Sequence, residues 1–225
     1  KIKKRDNFKN SNITLVVFSK DRPFQLRSFL FSVLENFYGL TKIIVIYNAS
    51  NEKVNNRYKK LDYTFNDQNI FFYKEDLKFK KNLNKVLSNI KTSHILFSVD
   101  DILVFDKIKL EKFQFIINEG NVFSLRLGSN INFCYMMDTY QGVPKNYMRH
   151  KNDIISWKVS DADYDFAYPF SLDMHVFPTN FMKYMSKNLF FSSVNSFEGA
   201  LNKITKYLPS LSIYSFYTSK CVNLP

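Results

Sequence analysis

Two adjacent carboxylates, Asp100 and Asp101, are the side chains of this sequence that could most directly do chemistry. They lie between two apolar runs, 94–97 (HILF) and 102–105 (ILVF). An unbroken apolar run is typical of a strand buried on both faces. Two carboxylates at the end of such a strand repel each other and are costly to desolvate unless a cation lies between them and a ligand. The pattern therefore predicts a divalent-metal site for a phosphorylated ligand, with a simple turn between strands as the alternative.

Other candidate residues occur later in the chain. Asp173 and His175 would share one face of a strand, where they could contact an acceptor or a metal, or form a hydrogen-bonded core pair. Glu198 follows Asn195 by three residues near the start of a predicted helix, which fits either a general base or a capping box. Arg126 stands alone in an apolar strand and therefore needs a partner, either a carboxylate or a phosphate.

The first part of the chain alternates buried strands with helices. The alternation requires right-handed crossovers and predicts a mainly parallel sheet over about 13–105. Neither of the two glycine-rich phosphate-binding motifs is present, so a nucleotide would not be bound in those ways. The predicted strands cover 13–18, 42–47, 69–73 and 94–99, and the predicted helices cover 23–37, 52–61 and 79–90.

The remainder, about 106–225, is less regular and contains no internal repeat or linker. We therefore expect a single α/β domain, 1–225, in which a mainly parallel nucleotide-binding half flanked by helices merges with a smaller mixed half. In the second half, helices are predicted over 107–118, from about 179 and over 195–207, and strands over 122–127, 154–159 and 173–177.

Composition limits the possible partners and compartments. The chain has 225 residues, 45% of them hydrophobic, and a net charge of +12, which predicts an anionic partner such as a nucleotide or an anionic membrane surface. We find no nucleic-acid-binding motif and expect no nucleic acid partner. Two distant cysteines favour the reducing cytoplasm, and no run reaches the roughly 18 apolar residues of a membrane span, so we expect at most peripheral membrane contact.

The order of elements resembles the glycosyltransferases of the GT-A fold, and among them the family-2-like enzymes. Residues 99–101 (VDD) are similar to the metal motif of that family, in a variant with adjacent acids. Residues 17–23 (VFSKDRP) are similar to the segment that contacts the nucleotide base and ribose. Residues 195–199 (NSFEG) resemble the late helix start where inverting members place a general base, although many relatives have Glu-Asp where this chain has Glu198 alone.

The resemblance implies a hexosyltransferase of glycan biosynthesis. It would use Mn²⁺ or Mg²⁺ to transfer a sugar from a nucleoside-diphosphate sugar, which we expect to be a UDP-sugar. The acceptor would be a glycan or lipid-linked hydroxyl, and transfer would invert the anomeric configuration. The implied site has Glu198, slightly favoured, or Asp173 as base; Asp101, Asp100 and His175 as metal ligands; and Ser19, Arg22, Asn48, Lys81 and Asp100 as nucleotide contacts.

Two other classes fit part of the sequence. A nucleotidyltransferase shares the sheet, but it normally has a glycine-rich loop with Lys or Arg after the first strand. Here that loop has only Lys20 and Arg22, and no glycine. A catalytically inactive module on the same fold could bind a sugar nucleotide or a membrane through its basic surface. Binding of a sugar nucleotide with Mn²⁺, followed by a test for donor hydrolysis, separates the three classes.

Overall fold

The structure, a computed structural model, describes residues 12–66, 68–76, 78–119 and 121–224. Within these ranges the strands are β1 (Ile13–Lys20), β2 (Phe37–Tyr38), β3 (Lys42–Asn48), β4 (Ile70–Lys74), β5 (His94–Val99), β6 (Ile102–Val104), β7 (Ile108–Lys109), β8 (Val122–Ser124), β9 (Phe133–Cys134), β10 (Thr139–Tyr140), β11 (Met148–His150), β12 (Ile154–Lys158), β13 (His175–Pro178), β14 (Ser212–Phe216) and β15 (Cys221–Asn223). The helices are α1 (Pro23–Asn36), α2 (Glu52–Phe65), α3 (Phe79–Ser88), α4 (Gln114–Asn118), α5 (Thr179–Asn188) and α6 (Val194–Asn202).

One large sheet passes through both halves of the chain, in the order β11-β12-β14-β8-β13-β5-β1-β3-β4. Strands β5, β1, β3 and β4 are parallel, as the crossover pattern of the first half predicts. Beyond β5 the sheet is mixed, because β13 runs antiparallel to both β5 and β8 while β14 is parallel to β8. The predicted α/β class, a mainly parallel half merged with a smaller mixed half, is confirmed.

Helices cover both faces of this sheet, and this explains why the sequence of β1 is apolar throughout. Leu15 and Val17 pack on the face covered by α1, α2 and α4. Val16 and Phe18 pack on the opposite face, against α3, α5 and α6. A strand buried on both faces has no solvent side, so its residues do not alternate between apolar and polar.

Directionality brings several strand ends to one edge of the sheet. The carboxyl ends of β1, β3, β5 and β8 meet there, and so does the amino end of the antiparallel β13. We call this edge the carboxyl edge; it is marked by Ser19, Asn48, Val99, Ser124 and His175. Open α/β sheets bind their ligands at such an edge, so the functional residues are expected there.

Several predicted elements differ from the structure. The single helix predicted over 107–118 is wrong, because β7 pairs with β2 and a 3-10 turn separates it from the short α4. The predicted helix over 195–207 ends at Asn202. The strand predicted over 173–177 begins only at His175, because Met174 has φ 59° and breaks the extended backbone.

Two general expectations can be compared with the described residues. Cys134 and Cys221 are both buried and free. Within the described ranges, no helix has both the length and the apolar character needed to cross a bilayer.

Candidate active site

A directed chain of hydrogen bonds fixes Asp100 at the carboxyl edge. Ser19 Oγ donates to Asp100 Oδ2 at 2.6 Å and lies 2.6 Å from the hydroxyl of Tyr58 on α2. The Tyr58 hydroxyl also accepts the backbone N–H of Arg22 at 3.0 Å. Since the Ser19 proton is used on Asp100, the Tyr58 hydroxyl must donate to Ser19. The chain of donors therefore runs from Arg22 through Tyr58 and Ser19 to the carboxylate.

The two carboxylate oxygens of Asp101 differ in their contacts with the described part of the chain. Its Oδ2 accepts from Arg22 Nη1 at 3.2 Å, whereas Oδ1 is buried and has no hydrogen-bond partner within the described ranges. Burial raises the pKa of both acids, and it raises the pKa of Asp100 to about 6 despite the Ser19 hydrogen bond. A buried carboxylate oxygen without a donor is chemically suited to a cation.

The acid pair fits a cation that is shared with a ligand. Among the described residues, no cluster of three or more His, Cys, Asp or Glu side chains could enclose a metal ion. Mg²⁺ is usually held by one or two carboxylates together with waters and substrate phosphates, not by a protein cage. The unpaired Oδ1 of Asp101, with Asp100 beside it, matches that kind of site.

His175 lies in the core, away from open solvent. It is fully buried and packs against Phe177, with ring centroids 6.2 Å apart. Desolvation, assisted by the charge of Arg126, lowers its pKa to about 3 and keeps the ring neutral. The predicted strand face shared with Asp173 is wrong, because the left-handed backbone at Met174 interrupts the alternation. A metal-ligand role for His175 stays a prediction.

Arg126 has the carboxylate partner that was one of its two predicted alternatives. Its Nη1 lies 3.4 Å from Asp165 Oδ2, and Asp165 Oδ2 also accepts from Gln141 Nε2 at 2.8 Å. Burial acts to lower the pKa of Arg126, but the charges of Asp165 and Asp173 outweigh it and keep the guanidinium charged. Arg126 Nε is buried without a hydrogen-bond partner in the described part of the chain.

Asp173 lies two residues before β13, at the same edge of the sheet as the acid pair. Its Oδ2 accepts from Asn223 Nδ2 at 3.3 Å. Burial raises its pKa to about 7; Arg126 opposes this change, and the carboxylates of Glu198 and Asp101 add to it. A carboxyl group with a pKa near neutrality is suited to accept a proton at physiological pH.

Glu198 is bound to the backbone of the segment that precedes Asp173. Its Oε1 accepts the N–H of Leu172 at 3.0 Å, and burial raises its pKa. The capping box predicted for Asn195 and Glu198 is wrong, because Ser193 is the N-cap of α6 and forms the box with Ser196. The side chain of Glu198 is therefore free of any helix-capping role.

The remaining predicted nucleotide residues differ in position. Asn48 lies at the carboxyl edge. Its side-chain Nδ2 donates to Glu75 Oε2 at 3.2 Å, and its backbone carbonyl oxygen accepts the Asp21 N–H. Lys81 is exposed in the first turn of α3, and in the described ranges no hydrogen bond or ion pair joins it to the other site residues. Its neighbour Lys80 donates to the backbone carbonyl oxygens of Lys187 and Leu189, at the carboxyl end of α5.

Tyr58 was missed from the sequence although it completes the Asp100 network. A signal was present: Tyr58, Leu61 and Phe65 share the helical spacing of a buried face of α2. A tyrosine on such a face usually needs a partner for its hydroxyl. Asp165, Asn202 and Asn223 carried no comparable local signal.

Comparisons with known proteins agree with this architecture. No family model matches the chain. The bifunctional glycosyltransferase pgtA of Dictyostelium discoideum is 30% identical over 191 residues, which are 77% of this chain and 25% of that protein. S. aureus TarS 1-349 in complex with UDP has a TM-score of 0.57 at 16% identity, over 92% of this chain and 58% of that one. The complex with UDP-GlcNAc has a TM-score of 0.54 at 15% identity, with coverages of 92% and 56%.

The chain therefore has a glycosyltransferase fold, and the predicted resemblance to the GT-A-like glycosyltransferases is confirmed. It spans a quarter of the length of the curated relative and less than two thirds of the TarS chains.

Proposed function

We propose that this chain is a metal-dependent glycosyltransferase domain that transfers a sugar from a UDP-sugar to an acceptor hydroxyl. The observation that carries the proposal is the pair Asp100 and Asp101 at the carboxyl edge. Ser19 fixes one acid by a hydrogen bond, and the other has a buried oxygen with no partner among the described residues. The relationship to pgtA and the likeness to TarS, which was solved with UDP and UDP-GlcNAc, support the donor class.

The donor would lie across the ends of β1, β3 and β5. Asp100, held by Ser19, would accept from a ribose hydroxyl, and Asn48 lies at the end of the neighbouring strand β3. Asp101, with Asp100, would hold Mn²⁺ or Mg²⁺ together with the diphosphate. When bound, such an ion neutralises the negative charge that develops on the leaving diphosphate. Arg22 adds a second positive charge beside Asp101.

Asp173 is the general base in this proposal, in preference to Glu198, which the sequence slightly favoured. Glu198 accepts from the Leu172 N–H and from the Ser171 side chain, and both bonds oppose the rise of its pKa, whereas burial raises the pKa of Asp173 to about 7. Asp173 takes the proton of the acceptor hydroxyl as the acceptor oxygen bonds to the anomeric carbon. The bond from that carbon to the diphosphate oxygen breaks, and its electron pair leaves with UDP. Attack opposite to the leaving group inverts the configuration.

The proposed acceptor is a glycan or lipid-linked hydroxyl at an anionic membrane surface. The hairpin of β9 and β10 exposes an apolar tip, 135–137 (YMM), and the neighbouring Tyr140. Asp138 follows the tip directly, and residues 141–152 then include Lys145, Arg149 and Lys151 and no acid. Exposed apolar residues beside basic ones are typical of a surface that contacts anionic lipid.

A ligand screen with product analysis tests the proposed function. Nucleoside-diphosphate sugars are added with Mn²⁺ or with a chelator, and thermal stability and release of UDP are measured. A ligand at 100 times its Kd stabilises by about 2.7 kcal/mol. Cation-dependent stabilisation with UDP release is expected. Stabilisation without release would indicate an inactive binding module, and pyrophosphate release from a nucleoside triphosphate would indicate a nucleotidyltransferase.

A further inference from the structure

Two side chains of α6, one helical turn apart, bind the backbone that leads to Asp173. Glu198 Oε1 accepts the N–H of Leu172 at 3.0 Å, and Asn202 Oδ1 accepts the N–H of Phe170 at 3.2 Å. Positions four apart on one face of a helix are about 6 Å apart, so acceptors at this spacing can reach two separate N–H groups of a neighbouring turn. The pair therefore takes the N–H groups of two alternate residues in the segment 170–172, which turns and bends before β13.

The same contacts extend to Asp173 itself. The Asp173 N–H donates to Ser171 Oγ at 3.2 Å, and a hydrogen bond from the Ser171 side chain to Glu198 opposes the rise that burial causes in the pKa of Glu198. On the far side of Asp173, the N–H of Met174 donates to the carbonyl oxygen of Phe97 in β5 at 2.8 Å. Asp173 thus lies between one anchor on α6 and another on the strand that ends at the acid pair.

Helix α6 is itself fixed in the core, so it can serve as a rigid support. Phe197 directly precedes Glu198 and Leu201 directly precedes Asn202, and both are fully buried. They belong to the same core cluster as Phe170 and Leu172 of the supported segment. Packing and hydrogen bonding therefore act on the same stretch of chain from the same helix.

We infer that Glu198 and Asn202 are positioning residues, a backbone clamp that holds Asp173 at the transfer site. The inference rests on the proposed function, because it takes Asp173 as the base. It assigns Glu198 a role through its acceptor oxygen and not through proton transfer. It also gives Asn202, for which the sequence offered no role, a part in the same reaction.

Substitutions that keep or remove the acceptor oxygen separate a clamp from a base. Glu198→Gln keeps the oxygen that binds Leu172, so transfer should stay within about fivefold of the unmodified protein. Glu198→Met and Asn202→Leu each remove one clamp hydrogen bond, and each should lower kcat while leaving the donor KM within about threefold. A shift of about 1 Å in a catalytic group can cost about 10²-fold in rate, so a loss of that order is expected for Glu198→Met. The matched control is Asn195→Met, an exposed site on the same helix, which should change neither constant.

Amide hydrogen exchange gives a second measurement that needs no activity. The Leu172 N–H should stay protected in Glu198→Gln and lose protection in Glu198→Met, while the Phe170 N–H should lose it in Asn202→Leu. If Glu198→Met fails to fold, Asn202→Leu decides the question by both measurements. If the unmodified protein transfers no sugar, the proposed function fails, and exchange alone then decides whether the clamp exists.

Three results would overturn the clamp. The first is loss of transfer in Glu198→Gln as severe as in Glu198→Met, which would make Glu198 the base. The second is an unchanged kcat in a folded Glu198→Met or Asn202→Leu. The third is unchanged protection of the Leu172 and Phe170 amides in the variants that lack the acceptor oxygen.

Discussion

Ser19, at the end of β1, donates a hydrogen bond of 2.6 Å to Oδ2 of Asp100, which directly follows β5. This contact ties two parallel strands together at the carboxyl edge and makes the adjacent acids unequal. Asp100 is held in place, whereas Asp101 is paired with Arg22 through one oxygen and keeps the other without a donor in the described part of the chain. This difference is the reason for the two proposed roles, a ribose contact for Asp100 and a cation ligand for Asp101.

Asp100→Asn should stabilise the protein at pH 8 more than at pH 5 when no divalent cation is present. Burial raises the Asp100 pKa from 3.8 to about 6, so the native state binds this proton more tightly than the unfolded state does. The stabilisation that comes from this tighter proton binding is complete below about pH 4 and is lost as the pH rises through about 6. Asn removes the ionisation and can still accept from Ser19. Tm is measured at both pH values.

The exposed Asp163 provides the control for that comparison, because Asp163→Asn should change Tm little at either pH. An equal change of Tm at pH 5 and pH 8 in Asp100→Asn would show that Asp100 is not held in a desolvated site.

Asp173→Asn should bind the donor normally and lose about 10²–10⁴-fold in transfer, the usual contribution of a positioned general base. In the unmodified protein, kcat should rise with pH through about 7, because the pKa of Asp173 is raised to about that value and only its ionised form can accept a proton. Steady-state kinetics between pH 5 and pH 9 measure both effects. Near-normal transfer by the variant would remove Asp173 from the reaction.

Tyr58→Phe should weaken both the fold and the binding of the donor. The change removes the hydroxyl that links the Arg22 N–H to Ser19, leaving a partly buried donor unsatisfied. Such a loss costs about 1–3 kcal/mol in the free energy of unfolding, which urea denaturation measures. Tyr63→Phe is the matched control, because Tyr63 lies on the same helix with 80% of its surface exposed. Equal effects of the two changes would contradict a special role for the Tyr58 hydroxyl.

Association with vesicles containing anionic lipid should fall as the salt concentration rises, because ions screen the attraction of a basic protein to a negative surface. Met136→Ser, at the hairpin tip with 90% of the Met136 side chain exposed, should reduce association further. Phe190→Ser, at an equally exposed apolar site elsewhere, serves as its control. Cosedimentation with anionic and neutral vesicles is the measurement. Absence of binding at low salt would leave the +12 charge unrelated to membranes.

The parallel half could be predicted from the sequence because its strands are buried on both faces. β1, β3 and β5 appear as uninterrupted apolar runs, and the helices between them have clear starting signals such as Pro23. The second half lacks this consistency. Residues 107–118 have apolar side chains at helical spacing, but pairing of Ile108 with Phe37 forms a strand instead. β14 was not found, although it lies inside the sheet, because Ser212 and Ser215 interrupt its apolar residues.

The acid pair could be found from the sequence, but the arrangement of the other site residues could not. Asp100 and Asp101 follow a recognisable strand, so their place at the sheet edge follows from the pattern. The contact of Glu198 with Leu172 joins residues 26 positions apart and leaves no local trace. The separation of Asp173 from His175 depends on one left-handed residue, Met174, which is not a residue type that signals such a conformation.

Calorimetric titration of UDP into the protein, with Mn²⁺ and with a chelator, tests the central claim most directly. The unmodified protein should bind UDP at least about tenfold more tightly with Mn²⁺, a difference of about 1.4 kcal/mol. Asp101→Asn should fold normally and bind UDP equally weakly in both conditions. Equal affinity of the unmodified protein with and without Mn²⁺, or a full Mn²⁺ effect in Asp101→Asn, would contradict a metal-assisted nucleotide-sugar site at Asp101.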